Sequence, residues 1–128
     1  MPAPAETKKD SIDRAIDVLR ATPLRPAEAV PAVDALGESG DPRAVEPLID
    51  LLKRSRDLTI KIHVCDALGH IGDPRAIDPL IEKLQDRDDD FYVRKKAAYT
   101  LYAIYRHGHL DQEQRDKIVT HWRSWYLL

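Results

Sequence analysis

One phrase occurs twice in the chain, 32 residues apart: ALGESGDPRAVEPL at 35–48 and ALGHIGDPRAIDPL at 67–80. Over the twenty positions of 35–54 and 67–86, twelve are identical, and Val45/Ile77, Glu46/Asp78 and Asp50/Glu82 change conservatively. A period of this size belongs to stacked helical units, each of which needs its neighbours to bury its apolar face. Within each copy the letters read as local structure. Gly40 and Gly72 stand where a helix stops, since glycine accepts the left-handed conformation of a residue just past a helix end. Asp41 and Asp73 follow as N-caps, and Pro42 and Pro74 take the first helical position. Val45, Leu48, Ile49 and Leu52, with Ile77, Leu80, Ile81 and Leu84, form an apolar stripe of helical spacing. Pro47 and Pro79 fall inside these helices and should bend their first turns.

The flanks complete the pattern. Asp57 is expected to cap a helix running through Leu58, Ile62, Cys65 and Leu68. A helix from about Pro26 to Leu36 should be kinked at Pro31. Asp90 or a neighbour caps a helix whose stripe is Val93, Ala97, Leu101 and Ile104. Gly108 ends that helix, and residues 111–128 form the last one. DRAIDVL at 13–19 echoes PRAVEPL at 42–48, so the chain opens on half a unit. The reading is all-α, about seven helices in one domain: a flexible tail over 1–9, then residues 10–128 in units of roughly 10–22 (partial), 24–55, 57–87 and 89–126.

The phrase ALGxxGDPRAVxPLIxxL at Ala35–Leu52 and Ala67–Leu84, with the VRxxAAxxL start at Val93–Leu101, resembles the HEAT-like repeats associated with phycobilin lyases. The resemblance covers about residues 20–126. It departs from the pattern in the first unit, where AEAVPAV replaces the usual start, and in the third, which lacks ALGxxGDPRA. Both departures suit the ends of an array. The resemblance implies a right-handed α-solenoid of antiparallel helix pairs, with second helices on the concave face and a binding role. It also implies that Arg94 pairs with a turn aspartate such as Asp73. Some relatives assist chromophore attachment, which gives a second expectation: an accessory or chaperone-like factor of a phycobilin-type lyase system.

Enzyme signatures are missing. No GxGxxG, GxxxxGK[ST], GxSxG or HExxH occurs. Cys65 is alone, so no intramolecular disulfide forms, and it lies on an apolar stripe where a thiol acts as a small hydrophobe. His107 and His109 lack the further ligands that zinc needs. His63 and His70 are not followed by Glu, which removes the iron-hydroxylase pattern that this repeat can carry. Asp86–Asp90 lacks the glycine and terminal Glu of a calcium loop. The chain is read as a non-enzyme without metal or cofactor.

Net charge is −2, with 20 Lys/Arg against 22 Asp/Glu. Residues 91–128 hold seven Lys/Arg and three acids, whereas the acidic excess lies before them. On the second helices the outward residues are Asp17, Glu46, Asp50, Lys53, Asp78, Glu82 and Gln85. That face is acidic on balance, which argues against nucleic acid. It predicts a protein partner with a basic or amide-rich segment. No apolar run of membrane-spanning length occurs and no signal peptide is visible, so a cytoplasmic protein without membrane contact is expected. The last helix carries Ile118, Trp122 and Trp125 on one stripe and ends in Tyr126, Leu127 and Leu128. A terminal unit needs a polar outer face, so Trp122, Trp125 and Tyr126 mark a candidate association end, a homodimer contact. The function read from sequence is a small scaffold or adaptor that binds protein on its concave face.

Overall fold

Leucine and isoleucine at three- and four-residue spacing predict helices throughout, and helices are what form. In a computed structural model of the chain, residues 4–126 are described, with the side chain of Tyr126 excepted. They contain seven α-helices and no strand: α1 (Lys8–Leu19), α2 (Pro26–Ser39), α3 (Val45–Arg54), α4 (Leu58–Ile71), α5 (Ile77–Gln85), α6 (Phe91–His107) and α7 (Gln112–Tyr126). Leu127 and Leu128 lie outside the described residues.

The chain enters α1 earlier than the sequence predicts. Thr7 accepts from the Asp10 amide at 3.1 Å, and Asp10 accepts from the Thr7 amide at 3.4 Å. This reciprocal cap starts the helix at Lys8, so Lys8 and Lys9, expected in a tail, belong to it, and Thr7 caps it.

The two repeated turns work through glycine and aspartate together. Gly40 has φ 64° and Gly72 φ 72°, the left-handed conformation that stops α2 and α4. Asp41 then accepts from the Arg43 amide at 2.9 Å, and Asp73 from the Arg75 amide at 2.9 Å. What they cap is a single 3-10 turn, Pro42–Ala44 or Pro74–Ala76; the α-helix begins only at Val45 or Ile77. This corrects the expectation for Pro47 and Pro79. Each is the third residue of its α-helix, where the missing amide has no intrahelical acceptor to lose. The helix α2 runs on through Pro31 to Ser39, three residues past its expected end.

The helices stack in two layers. One holds α2, α4 and α6 side by side, and the other holds α1, α3, α5 and α7. Leu36, Leu48, Leu52, Leu68, Leu80, Leu101 and Ile104 fill the space between the layers and are fully buried. The predicted stripes of α3, α5 and α6 are all buried. On α4 the buried set is Ile60, Val64, Cys65, Ala67 and Leu68, while Leu58 is exposed and Ile62 half-buried, a rotation of the predicted stripe. Within a layer, neighbouring helices close up at small residues. A Cβ on Gly37 would stand 2.8 Å from the Ala67 Cα, so α2 and α4 touch through their backbones.

Candidate interaction surface

The seven residues read from sequence as a binding face, Asp17, Glu46, Asp50, Lys53, Asp78, Glu82 and Gln85, are all exposed. They lie on α1, α3 and α5, on one layer of the stack. Their acidity is offset, however. Asp17 pairs with Arg20 at 3.4 Å, Asp50 with Arg54 at 3.0 Å, Glu46 with Arg75 at 3.6 Å and Asp78 with Lys117 at 2.5 Å. Two of these cations come from the following unit, which reading a single helix face does not reveal.

Such cross-unit pairs recur at each junction. In the second-helix layer Asp13 meets Arg43 at 3.3 Å, Glu46 meets Arg75, and Asp78 meets Lys117. In the first-helix layer His63 Nδ1 donates to Asp34 at 2.8 Å, and Lys96 pairs with Asp66 at 2.6 Å. Each time the acid sits on the earlier unit and the base on the next. The turns are tied too: Arg75 donates to the Pro42 carbonyl at 3.1 Å. Within a turn, Arg43 Nη2 lies 2.8 Å from Asp41 and Arg75 Nη2 lies 3.0 Å from Asp73. The side-chain hydrogen bond from each arginine holds its aspartate below the usual carboxylate range. The family resemblance had Arg94 serving Asp73; Arg75, two residues away in the same turn, does so instead.

One junction is buried. Asp89, in the loop entering α6, is 4% exposed and lies 3.0 Å from Lys61 and 2.9 Å from Lys83. Burial pushes its carboxyl up, but the Lys83 and Lys61 hydrogen bonds outweigh that, and the net shift is downward.

The third unit ends differently. Phe91 is 59% exposed, Tyr92 64%, Tyr99 51% and Tyr102 45%, all on α6. Trp122 and Trp125 pack half-buried against the core from α7, beside the buried Ile118. Phe91 stacks on Trp125 with ring centroids 5.8 Å apart, and Tyr102 on Trp122 at 6.0 Å. Cations lie over the rings: Arg94 5.0 Å from Trp125, Lys95 5.6 Å from Tyr99, Arg115 5.3 Å from Tyr105. Sequence reading found the tryptophans and missed the α6 rings. The signal was present, because Tyr92, Tyr99 and Tyr102 all fall off the Val93–Ile104 stripe.

Elsewhere, Cys65 is fully buried. Desolvation pushes its thiol up to about 12, which keeps it protonated and unreactive. His70 and His107 line one shallow groove between α4 and α6 with Asp66 and Lys96. Among the described residues no group of three or more His, Cys, Asp or Glu is placed to hold a metal ion. No described helix is long and apolar enough to cross a membrane.

Paired helices stacked in two layers, with one phrase repeated at two successive turns, define a helical-repeat protein of the solenoid class. The sequence matches the HEAT repeats family over residues 12–102, and the chain belongs to that family. No curated protein sequence matches it.

Proposed function

We propose that the chain is a small protein-binding scaffold rather than an enzyme, and that the α1–α3–α5 face is a docking surface. The observation that supports this is the continuity of that face. Asp17, Glu46, Asp50, Lys53, Asp78, Glu82 and Gln85 are exposed on three successive helices, and stacked units present such a surface without further folding. HEAT repeats generally serve protein interaction, which favours the same reading. Because Arg20, Arg54, Arg75 and Lys117 already engage four of the acids, the face suits an amide-rich or mildly basic segment better than a strongly basic one. Carboxylate oxygens left free by these pairs accept hydrogen bonds from such a partner. The experiment is affinity capture from native lysate with the wild type and with Glu46→Lys/Glu82→Lys. A partner kept by the first and lost by the second supports the reading; a partner indifferent to the variant removes this face. The accessory role beside a phycobilin-type lyase rests on the repeat phrase at 35–52 and 67–84. A bilin absorbance shift on mixing with the chain tests it.

A further inference from the structure

Lys61 and Arg94 stand at the same place in consecutive units, four residues after the N-caps Asp57 and Asp90. Their surroundings differ in one respect. Lys61 is neutralised by Asp89, a carboxylate delivered by the loop of the following unit and buried between Lys61 and Lys83. Arg94 has no following unit among the described residues. Its Nε donates to the Leu84 carbonyl at 3.2 Å, its guanidinium rests over Trp125, and it has no ion pair among the described residues. Arg87 stands beside it, likewise without an ion pair there. Arg87, Phe91, Arg94 and Trp125 line a hollow of about 410 Å³. A neighbouring hollow of about 300 Å³ shares Arg87, Arg94 and Trp125 and adds His121.

The geometry points to an acidic protein segment as the occupant, one that places a carboxylate on Arg87 and Arg94 as Asp89 is placed on Lys61 and Lys83, and lays an adjacent aromatic or apolar side chain on Phe91 and Trp125. This rests on the scaffold reading and adds a second surface with its own partner chemistry. Charge selects the occupant. Arg87 and Arg94 line the hollow without an ion pair among the described residues, and a second copy presents the same two cations there, so two such hollows set against each other repel. Head-to-tail stacking of copies fails on register. Where Asp34 and Asp66 offer an acid to the next unit, α6 has Tyr99. Where His63 and Lys96 offer a base to the unit before, α2 has Pro31. Arg14, at the other end, is already paired with Glu6 at 2.9 Å.

The probe is a synthetic peptide copying residues 88–93, Asp-Asp-Asp-Phe-Tyr-Val, the chain's own segment of this chemistry. Binding to the full chain in the Trp122→Phe background is read by Trp125 fluorescence, with circular dichroism confirming the fold of every variant. The expected result is saturable binding, weakened about tenfold by Arg87→Glu or Arg94→Glu, lost with Asn-Asn-Asn-Phe-Tyr-Val, and reduced by salt. Arg87 is exposed, so its variant tests the site even if Arg94→Glu unfolds. The proposal is overturned by binding indifferent to Arg87→Glu, by an oligonucleotide of equal charge binding more tightly than the peptide, or by a two-chain mass in light scattering that Arg87→Glu abolishes. Failure here leaves the α1–α3–α5 face untouched, because Glu46→Lys/Glu82→Lys tests that surface separately.

Discussion

The junction between the second and third units and the end of the third unit are built from the same helix positions, yet they use opposite chemistry. At the junction Asp89 sits buried between two lysines, Lys96 reaches back to Asp66, and Lys117 to Asp78. Every one of those cations meets a carboxylate from the adjoining unit. At the end, Arg94, Lys95 and Arg115 lie over aromatic rings, and four rings of α6 face outward. The difference teaches what a repeat requires of a neighbour. Inside the stack, apolar area goes to the core and charge goes to the seam. Where no further unit follows among the described residues, rings take the carboxylates' place, since a cation over a π-face keeps some stabilisation without a counter-ion.

The heaviest way to break the comparison is to remove core from the interior junction. Leu80, on α5, is fully buried, and Leu80→Ala deletes three carbons whose space the packed helices only partly refill. Destabilisation of about 2–5 kcal/mol is expected. Urea melts give the value. A loss below ~1 kcal/mol means that the two layers close over the cavity.

A smaller break is Asp89→Asn, which leaves Lys61 and Lys83 close together without their shared anion. The cost at neutral pH is about 1–3 kcal/mol, the range for a buried polar group left unsatisfied. The pH dependence follows from the sign of the shift. The folded carboxyl titrates below its ordinary value because the lysine hydrogen bonds outweigh burial. Its contribution is therefore complete above the unfolded pKa of ~3.9 and is lost as pH falls through the lower folded value. Wild type and variant should differ most at neutral pH and converge as pH falls below the unfolded pKa of ~3.9 and through the lower folded value. A constant difference across that range would show that Asp89 acts through packing and not through charge.

Much of this architecture was legible because the repeat fixes helix ends chemically. Gly40 and Gly72 needed left-handed backbone, and Asp57 and Asp90 needed to accept first-turn amides; each did so. The 3-10 turns were hidden, since a proline at a first position reads the same before either helix type. The cross-unit pairs were hidden for another reason. Glu46 and Arg75 are distant in sequence, and only stacking brings them together, so a face that counts as acidic on one helix is nearly balanced in the fold. The α6 rings were missed because attention to the buried stripe leaves the opposite face unread. That face is where the two regions part company.

The lightest test bears on that face. Tyr92 is the most exposed large apolar side chain among the described residues at 64%, and Tyr92→Ser removes a ring that the free protein leaves in water. A surface change of this kind shifts stability by no more than ~0.5 kcal/mol. Paired with Leu80→Ala in the same urea series, it places the interior and the end on one scale. A near-zero shift means that the ring contributes nothing to the fold. A loss above ~1 kcal/mol means that the ring is already covered in solution. The end would then close on itself as the interior junction closes on its neighbour, and the contrast between the two regions would lie in charge alone.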